Sequence, residues 1–180
     1  MSNANDLEQA FQLYFDEMRA CVSAGRFFAL LHVILVLPDV CAALENPSAE
    51  VGSRYKAWCA QYHAHPLLSA EEFYDLRCKF LHQGQALGTK GRYETYSFPI
   101  QAGVSFHRVA VPAEKNVTLD PCQMAEEMER AVRAWFTDLR EPANANRLAS
   151  VRSNLRFLVR RQPKELPGIG GQPFLVMSSS

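Results

Sequence analysis

Apolar residues recur along most of this chain at alternating steps of four and three, the spacing of one face of an α-helix. The segment at residues 26–37 is apolar on every side, which is typical of a central, buried helix. Because each apolar face must be buried against another element, the pattern predicts a mainly α protein, a compact helical bundle of five to six helices. The striped segments lie at about residues 6–24, 48–65, 69–83, 120–141 and 144–161.

After the fourth striped segment, the helical spacing gives way to stretches rich in aromatic and β-branched residues. Residues 93–98 and 104–111 form two such stretches, and Pro99 and Gly103 bracket the connection between them. This pattern predicts a small β-hairpin inserted in the bundle near residues 92–111.

The chain has the size and composition of one globular domain, with 180 residues, of which 48% are hydrophobic and 21% charged. Residues 1–161 are predicted to form this single helical domain. Residues 162–180 are rich in Pro, Gly and Ser, and they are predicted to form an irregular or mobile C-terminal tail.

The formal charge is balanced, with 19 basic and 19 acidic residues. A globally basic nucleic-acid-binding protein is therefore not expected, and any such contact must come from a local patch. The five cysteines are widely spaced, odd in number and without a C-x-x-C motif, which favours a reducing, cytoplasmic location. No signal-peptide pattern is present, and the apolar run at residues 27–37 is shorter than the ~20 residues that span a bilayer, so no membrane association is expected.

Sequence motifs for metals and cofactors are absent. The chain contains no G-x-x-x-x-G-K-[ST], no G-x-G-x-x-G and no H-E-x-x-H. One residue separates His63 from His65. A metal site needs further ligands, and no other candidate ligand has a suitable local spacing. His32, inside the apolar segment, is predicted to be a hydrogen-bonded core histidine, and His107 alternates within the predicted hairpin. We therefore expect neither a metal nor a cofactor.

One pair of residues, Arg77 and His82, points to a chemistry. They lie in a segment whose start is marked by Ser69 and Glu72, the spacing of a capping box. The two side chains are about 140° apart around the helix, yet both can reach one groove because Arg is long and His82 precedes the end expected at Gly84. The negative helix end favours a protonated imidazole, which suits His82 as a general acid. An arginine that holds a phosphate and a histidine that moves protons are sufficient, in principle, to cleave RNA by attack of its 2′-hydroxyl.

The segment Arg77-Cys78-Lys79-Phe80-Leu81-His82 resembles the R-x4–6-H signature of the HEPN superfamily, whose members are small helical-bundle domains. Its position on a later helix, after a strongly apolar one, is similar too. The resemblance implies a metal-independent endoribonuclease of toxin–antitoxin, defence or RNA-processing type, with Arg77 at the scissile phosphate and His82 transferring protons. It also implies a homodimer in which two motif helices face each other, with RNA or a nucleotide, and an antitoxin-like protein, as partners.

Four neighbouring residues are candidates for supporting roles. Asp75 would orient or pair with a cationic partner, Lys79 would add positive charge, and Gln83 would contact the substrate. Asp75 and Lys79 also have the spacing of an ordinary surface salt bridge, and Gln83 is equally explained as a polar residue at a helix end. Cys78 stands where active members of the superfamily often carry a polar residue.

Two alternatives to the nuclease therefore stay open. The first is a catalytically silent HEPN-type module that binds a nucleotide, an RNA or a protein, which the cysteine at position 78 makes plausible. The second is a structural or assembly protein in which the Arg–His pair is a structural hydrogen-bonding pair without chemical function.

A basic stripe near the C-terminus supplies further candidates for RNA contacts. Arg152, Arg156 and Arg160 step by four along the predicted helix at residues 144–161, and no acidic residue occurs from Arg147 to Lys164. Such a face can follow an RNA backbone. The alternative is a solvated face paired with the acidic cluster at residues 126, 127 and 129.

Overall fold

The computed structural model describes residues 6–65, 67–100, 107, 109–158, 160–161 and 175–176. Within these residues the chain forms six α-helices, which confirms the predicted mainly α bundle. A 3-10 turn, Leu155–Phe157, follows the last helix, so the helix expected up to residue 161 ends earlier. The helices are α1 (Asp6–Ser23), α2 (Phe27–Glu45), α3 (Val51–Tyr62), α4 (Ala70–Gln83), α5 (Pro121–Leu139) and α6 (Ala145–Asn154).

The apolar helix α2 lies at the centre and contacts each of the other five helices. It runs on through Pro38 to Glu45. Proline has no N–H to donate and therefore interrupts the helical hydrogen-bonding pattern. One turn earlier, the hydroxyl of Tyr55 in α3 donates to the carbonyl of Leu35 at 3.1 Å, which fastens the two helices together beside the proline.

By length and composition, α2 is long and apolar enough to cross a membrane. The apolar run in the sequence ends at residue 37, but the helix continues to Glu45 and has 19 residues. Its length therefore does not exclude a membrane span. Its side chains are nevertheless largely enclosed by the rest of the protein, as in the core helix of a bundle. A cytoplasmic location without membrane association stays a prediction.

A small sheet is inserted between α4 and α5. It consists of β1 (Thr95–Ser97), β2 (Val109–Val111) and β3 (Asn116–Thr118), with β3 in the middle. The β insertion is thus confirmed, but β1 and β2 do not pair with each other as the predicted hairpin requires. Instead β1 pairs with β3 in parallel and β2 pairs with it antiparallel.

The tight reversal that makes β2 and β3 neighbours lies after β2. There, a 3-10 turn at Pro112–Glu114 is followed by Lys115 with a φ of 46°, a left-handed conformation. Most of the connection expected to form the hairpin turn, residues 99–103, lies outside the described residues, which omit 101–106 and 108.

Two short strands extend the description beyond α6. The strand β4 (Arg160–Arg161) pairs antiparallel with β5 (Leu175–Val176). The described part of the predicted tail is therefore an extended strand rather than irregular chain. The remaining residues of the tail lie outside the described ranges.

Candidate functional site

The helix α4 starts and ends at clear local signals. The side chain of Ser69 accepts a hydrogen bond from the backbone N–H of Glu72 at 3.2 Å, and the Glu72 carboxylate accepts one from the Ser69 N–H at 2.8 Å. The predicted capping box is therefore confirmed. At the other end, Gly84 has a φ of 64°, the left-handed conformation that glycine adopts without strain. These boundaries place Arg77 in mid-helix and His82 in the last turn.

Arg77 and His82 meet in spite of their angular separation around the helix. Nη1 of Arg77 lies 3.1 Å from Nε2 of His82. A guanidinium carries only N–H donors, so this contact requires Nε2 to accept, as in a neutral imidazole with its proton on Nδ1. The contact therefore opposes the protonated imidazole expected from the helix end. An unprotonated Nε2 is instead the form that serves as a general base.

Asp39 of α2 holds the other end of the Arg77 guanidinium. Nη2 of Arg77 lies 3.2 Å from Oδ2 of Asp39. The second oxygen of the same carboxylate accepts from Nε and Nη2 of Arg54 in α3, at 3.2 and 2.9 Å. The side chains of Arg77 and Asp39 are 12% and 18% exposed, so the ion pair is largely withdrawn from solvent. The position of Arg77 is thus determined by α2 and α3 as well as by its own helix.

The contribution of Asp39 was not recognised from the sequence. One signal for it exists, because an acidic residue inside a strongly apolar helix needs a cationic or hydrogen-bonding partner once it is buried. What no local pattern reveals is which arginine supplies that partner.

Asp75 is buried and binds the loop that follows α4. Its carboxylate is 6% exposed and accepts hydrogen bonds from the backbone N–H and the hydroxyl of Thr89 and from the N–H of Lys90. These bonds fasten the loop after α4 to the helix. Between these two described residues, Asp75 and Lys79, no salt bridge is formed, and a supporting role of Asp75 in the site stays a prediction.

Cys78 lies half-buried beside the Arg–His pair. Its Sγ is 4.0 Å from Nη1 of Arg77, a weak contact for sulfur. Burial raises the pKa of the neighbouring Tyr74 hydroxyl, and its hydrogen bond with Cys78 raises the pKa further. Lys79 is half-buried in the same helix, and its backbone carbonyl accepts from the N–H of Gln85. Gln83 is exposed as the last residue of α4.

The basic stripe is not one helical face. Of Arg152, Arg156 and Arg160, only the first belongs to α6. Arg156 lies in the following 3-10 turn and Arg160 in β4. Arg147 is engaged in structure, because its guanidinium contacts the carboxylates of Glu45 at 2.8 Å and Asp138 at 2.7 Å. The predicted stripe fails at its C-terminal end because the chain leaves the helix after residue 154.

A second group of titratable side chains, absent from the sequence-based candidates, gathers at the junction of α3, α5 and the β insertion. The ligand atoms of His65, His107 and Glu127 lie within 4.8 Å of one another. Nε2 of His107 is 3.3 Å from one oxygen of the Glu127 carboxylate, and Nε2 of His65 is 3.8 Å from the other. Their wide separation along the chain explains why no local spacing indicated the group. A cleft of about 300 Å³, lined also by Tyr62 and Arg130, adjoins it.

The hydrogen bonds of the two imidazoles show that this group does not suit a metal ion. Nδ1 of His65 accepts from the backbone N–H groups of Leu67 and Leu68 at 3.1 and 3.0 Å. Nδ1 of His107 accepts from the N–H of Asp120 at 3.1 Å. A neutral imidazole has one donor and one acceptor nitrogen, so both Nε2 atoms carry the proton. Nε2 of His107 donates to the Glu127 carboxylate at 3.3 Å, whereas Nε2 of His65 lies 3.8 Å from it, beyond hydrogen-bond distance. A metal ligand has the reverse arrangement, with its second nitrogen donating.

His32 also lies outside the core. It is half-buried, its Nδ1 is 2.9 Å from the carbonyl of Phe28, and its ring packs against Phe28 and Phe80. The predicted hydrogen bond is present, whereas the predicted core position is wrong.

Comparison with known proteins adds no assignment to this geometry. No family model, no curated protein and no solved structure matches the chain. The Arg77–His82 pair and its ion pair with Asp39 are therefore the observations on which a proposal for the function rests.

Proposed function

We propose that this protein is a metal-independent endoribonuclease of HEPN type, with Arg77 and His82 as its catalytic residues. The observation that carries the proposal is the direct contact of the guanidinium with Nε2 of His82, at 3.1 Å, on an exposed edge of the bundle. A fixed cation beside an unprotonated imidazole nitrogen supplies a phosphate-binding group and a base in one place. The superfamily resemblance described above supports the same function.

The reaction follows from the two groups. When RNA binds, the Arg77 guanidinium turns from Nε2 of His82 to the phosphate, which frees the lone pair of Nε2. That nitrogen then takes the proton of the ribose 2′-hydroxyl as the oxygen attacks the neighbouring phosphorus. The bond from phosphorus to the 5′ oxygen breaks, and that oxygen leaves with a proton, which the imidazolium returns. Arg77 neutralises the charge that builds up on the non-bridging oxygens. The products are a 2′,3′-cyclic phosphate and a free 5′-hydroxyl.

The test is cleavage of total RNA in EDTA by the wild type, Arg77→Ala and His82→Ala. We expect the wild type to cut and both variants to lose about 100-fold or more in rate. The matched control is Arg130→Ala, which removes an exposed arginine far from α4 in sequence and should cut at the wild-type rate. Thermal melts of all four proteins show whether a loss of rate reflects chemistry or unfolding. Equal rates for the wild type and His82→Ala would overturn the proposal.

The alternative is a catalytically silent HEPN-type module that binds a nucleotide, an RNA or a protein. The observation that favours it is the double engagement of Arg77, whose Nη1 contacts His82 and whose Nη2 contacts Asp39. Under this alternative, Arg77→Ala lowers the melting temperature and no RNA is cut by any variant. The same set of melts and cleavage assays therefore separates the two functions.

The homodimer and an antitoxin-like partner stay proposals that rest on the superfamily resemblance. Sedimentation of the purified protein over a range of concentrations tests the first. A single species with the 20.3 kDa mass of one chain at all concentrations would contradict it.

A further inference from the structure

An aromatic side chain stands on the surface directly after α6. Phe157 is 55% exposed, whereas its neighbours Val151 and Leu158 are buried. The 3-10 turn at Leu155–Phe157 produces this arrangement, because it turns the chain so that Leu158 enters the core and the phenyl ring stays outside. The ring therefore has a face that is available to a ligand.

An arginine stacks on this ring. The Arg156 guanidinium lies over it, 4.7 Å from the ring centroid, and the Arg156 side chain is exposed. Arg152 lies one turn earlier on α6, half-buried, and the chain carries no acidic residue between Arg147 and Lys164. The stacked guanidinium can bind an anion, and the phenyl ring beside it offers a flat apolar surface. No acidic residue occurs in this segment of the sequence.

We propose that Arg152, Arg156 and Phe157 form a binding surface for single-stranded nucleic acid, which we call the 152–157 surface. In a single strand the base faces are open and stack on aromatic rings or guanidinium planes, while arginines contact the phosphates. In a duplex the base faces are stacked on one another, so the exposed ring could not stack on a base. The surface differs from the stripe that the sequence suggested, because Phe157 joins it and Arg160 belongs to another element.

The 152–157 surface and the Arg77–His82 pair are both bound to the central helix α2. The side chain of Asn154 donates to the carbonyl of Leu44 at 2.9 Å, and the hydroxyl of Ser150 donates to that of Glu45 at 2.9 Å. Asp39, which holds Arg77, precedes Leu44 on α2 by about 7.5 Å along the helix axis. The C-terminal half of α2 therefore fixes the separation between the surface and the pair.

The test measures binding without cleavage. The probe is a fluorescein-labelled oligouridylate with 2′-O-methyl groups, which cannot undergo 2′-hydroxyl attack, and the readout is anisotropy at low salt. We expect Phe157→Leu to weaken binding by about fivefold or more, since a leucine side chain does not stack. Phe157→Tyr should bind like the wild type. Arg156→Glu should weaken binding further, and the slope of log affinity against log salt should become shallower by about 0.7 for each phosphate that is no longer neutralised.

Two matched controls define the outcome that overturns the proposal. Phe28→Leu removes another exposed phenyl ring, 62% exposed, and Arg130→Glu reverses another exposed charge. Both should bind the probe like the wild type. If they weaken binding as much as the variants at positions 156 and 157, or if those variants bind like the wild type, the surface is not a nucleic-acid site. A duplex of the same length that binds as tightly as the single strand would also contradict it.

The proposal is independent of cleavage. A protein that binds the probe through Phe157 but does not cut RNA would support the 152–157 surface and contradict the nuclease. A protein that cuts RNA, but whose Phe157→Leu variant binds the uncleavable probe like the wild type, would do the opposite.

Discussion

The carboxylate of Asp39 joins two arginines from different helices, with Oδ2 3.2 Å from Nη2 of Arg77 and Oδ1 2.9 Å from Nη2 of Arg54. Two guanidinium groups so close to one another would repel without the anion between them. Since Arg77 is the residue that contacts His82, the acid on α2 governs the geometry of a pair on α4.

Replacing Asp39 with Asn should therefore affect the proposed nuclease through Arg77. We expect RNA cleavage to fall about 10- to 100-fold, because a displaced guanidinium no longer sits where the phosphate needs it. The free energy of unfolding should drop by about 1–3 kcal/mol from the loss of charged hydrogen bonds. Single-turnover cleavage and urea unfolding measure the two effects. Glu126→Gln, which removes an exposed carboxylate paired with Arg130, should change neither.

Asp75 offers the contrasting case, a buried acid near the motif whose hydrogen bonds go to the loop after α4. Asp75→Ala leaves the N–H groups of Thr89 and Lys90 without their acceptor, so unfolding should become easier by about 1–3 kcal/mol. Below its melting transition, the variant should cut RNA at the wild-type rate. The double variant Asp75→Ala, Thr89→Ala should lose less stability than the sum of the losses in the two single variants, because the two residues share one interaction. A fully stable but inactive Asp75→Ala would place Asp75 in the site after all.

Glu72 links the stability of the protein to pH. Burial raises the pKa of its carboxyl, but hydrogen bonds from the N–H groups of Arg92 and Ser69 and from the Arg92 guanidinium outweigh burial, and the net pKa is lowered from 4.5. A lowered folded-state pKa stabilises the protein above the unfolded value and loses that contribution as pH falls through the folded value. Glu72→Gln should therefore be less stable than wild type at neutral pH, and the gap should narrow below pH 4.5. Urea titrations across this range measure the gap, and a constant gap would contradict the assignment.

The group of His65, His107 and Glu127 should not bind a divalent metal tightly. We expect Co²⁺ titration of the wild type to give no visible tetrahedral absorption and the same heat as titration of a His65→Ala, His107→Ala double variant. Long-range ¹⁵N–¹H spectra should assign both imidazoles to the Nε2–H tautomer, because both Nδ1 atoms accept backbone hydrogen bonds. A Co²⁺ band that the double variant lacks would show that the backbone bonds rearrange and that this is a metal centre.

The sequence predicted the helices well because their signals are local. The capping box at Ser69 and Glu72 marked the start of α4, and the spacing of apolar residues marked its buried face. It predicted β1 and β2 but neither the central strand β3 nor the pairing, since β1 finds its parallel partner β3 across a long stretch of chain. It also extended the last helix too far, because Leu155 and Leu158 continue the apolar spacing through a 3-10 turn.

Only part of the candidate site could be predicted, because sequence patterns indicate contacts between residues that are close along the chain. Arg77 and His82 form a short motif, and their proximity follows from helix geometry and the length of arginine. Asp39 precedes Arg77 by 38 residues and Glu127 follows His65 at a still greater distance, so neither contact leaves a local pattern. Contacts that depend on how helices pack require the structure.

Because Asp39 lies on the central helix, the geometry of the proposed catalytic pair depends on the native packing of the bundle. A peptide containing α4 alone would include Arg77 and His82 but not the carboxylate that aligns them. Conservative substitutions deep in the bundle, such as those that loosen α2, would silence a fraction of the molecules without touching the motif. Specific activity would then report the folded population, so a nuclease with this layout is inert while its chain is still being synthesised and becomes active only once the bundle has closed.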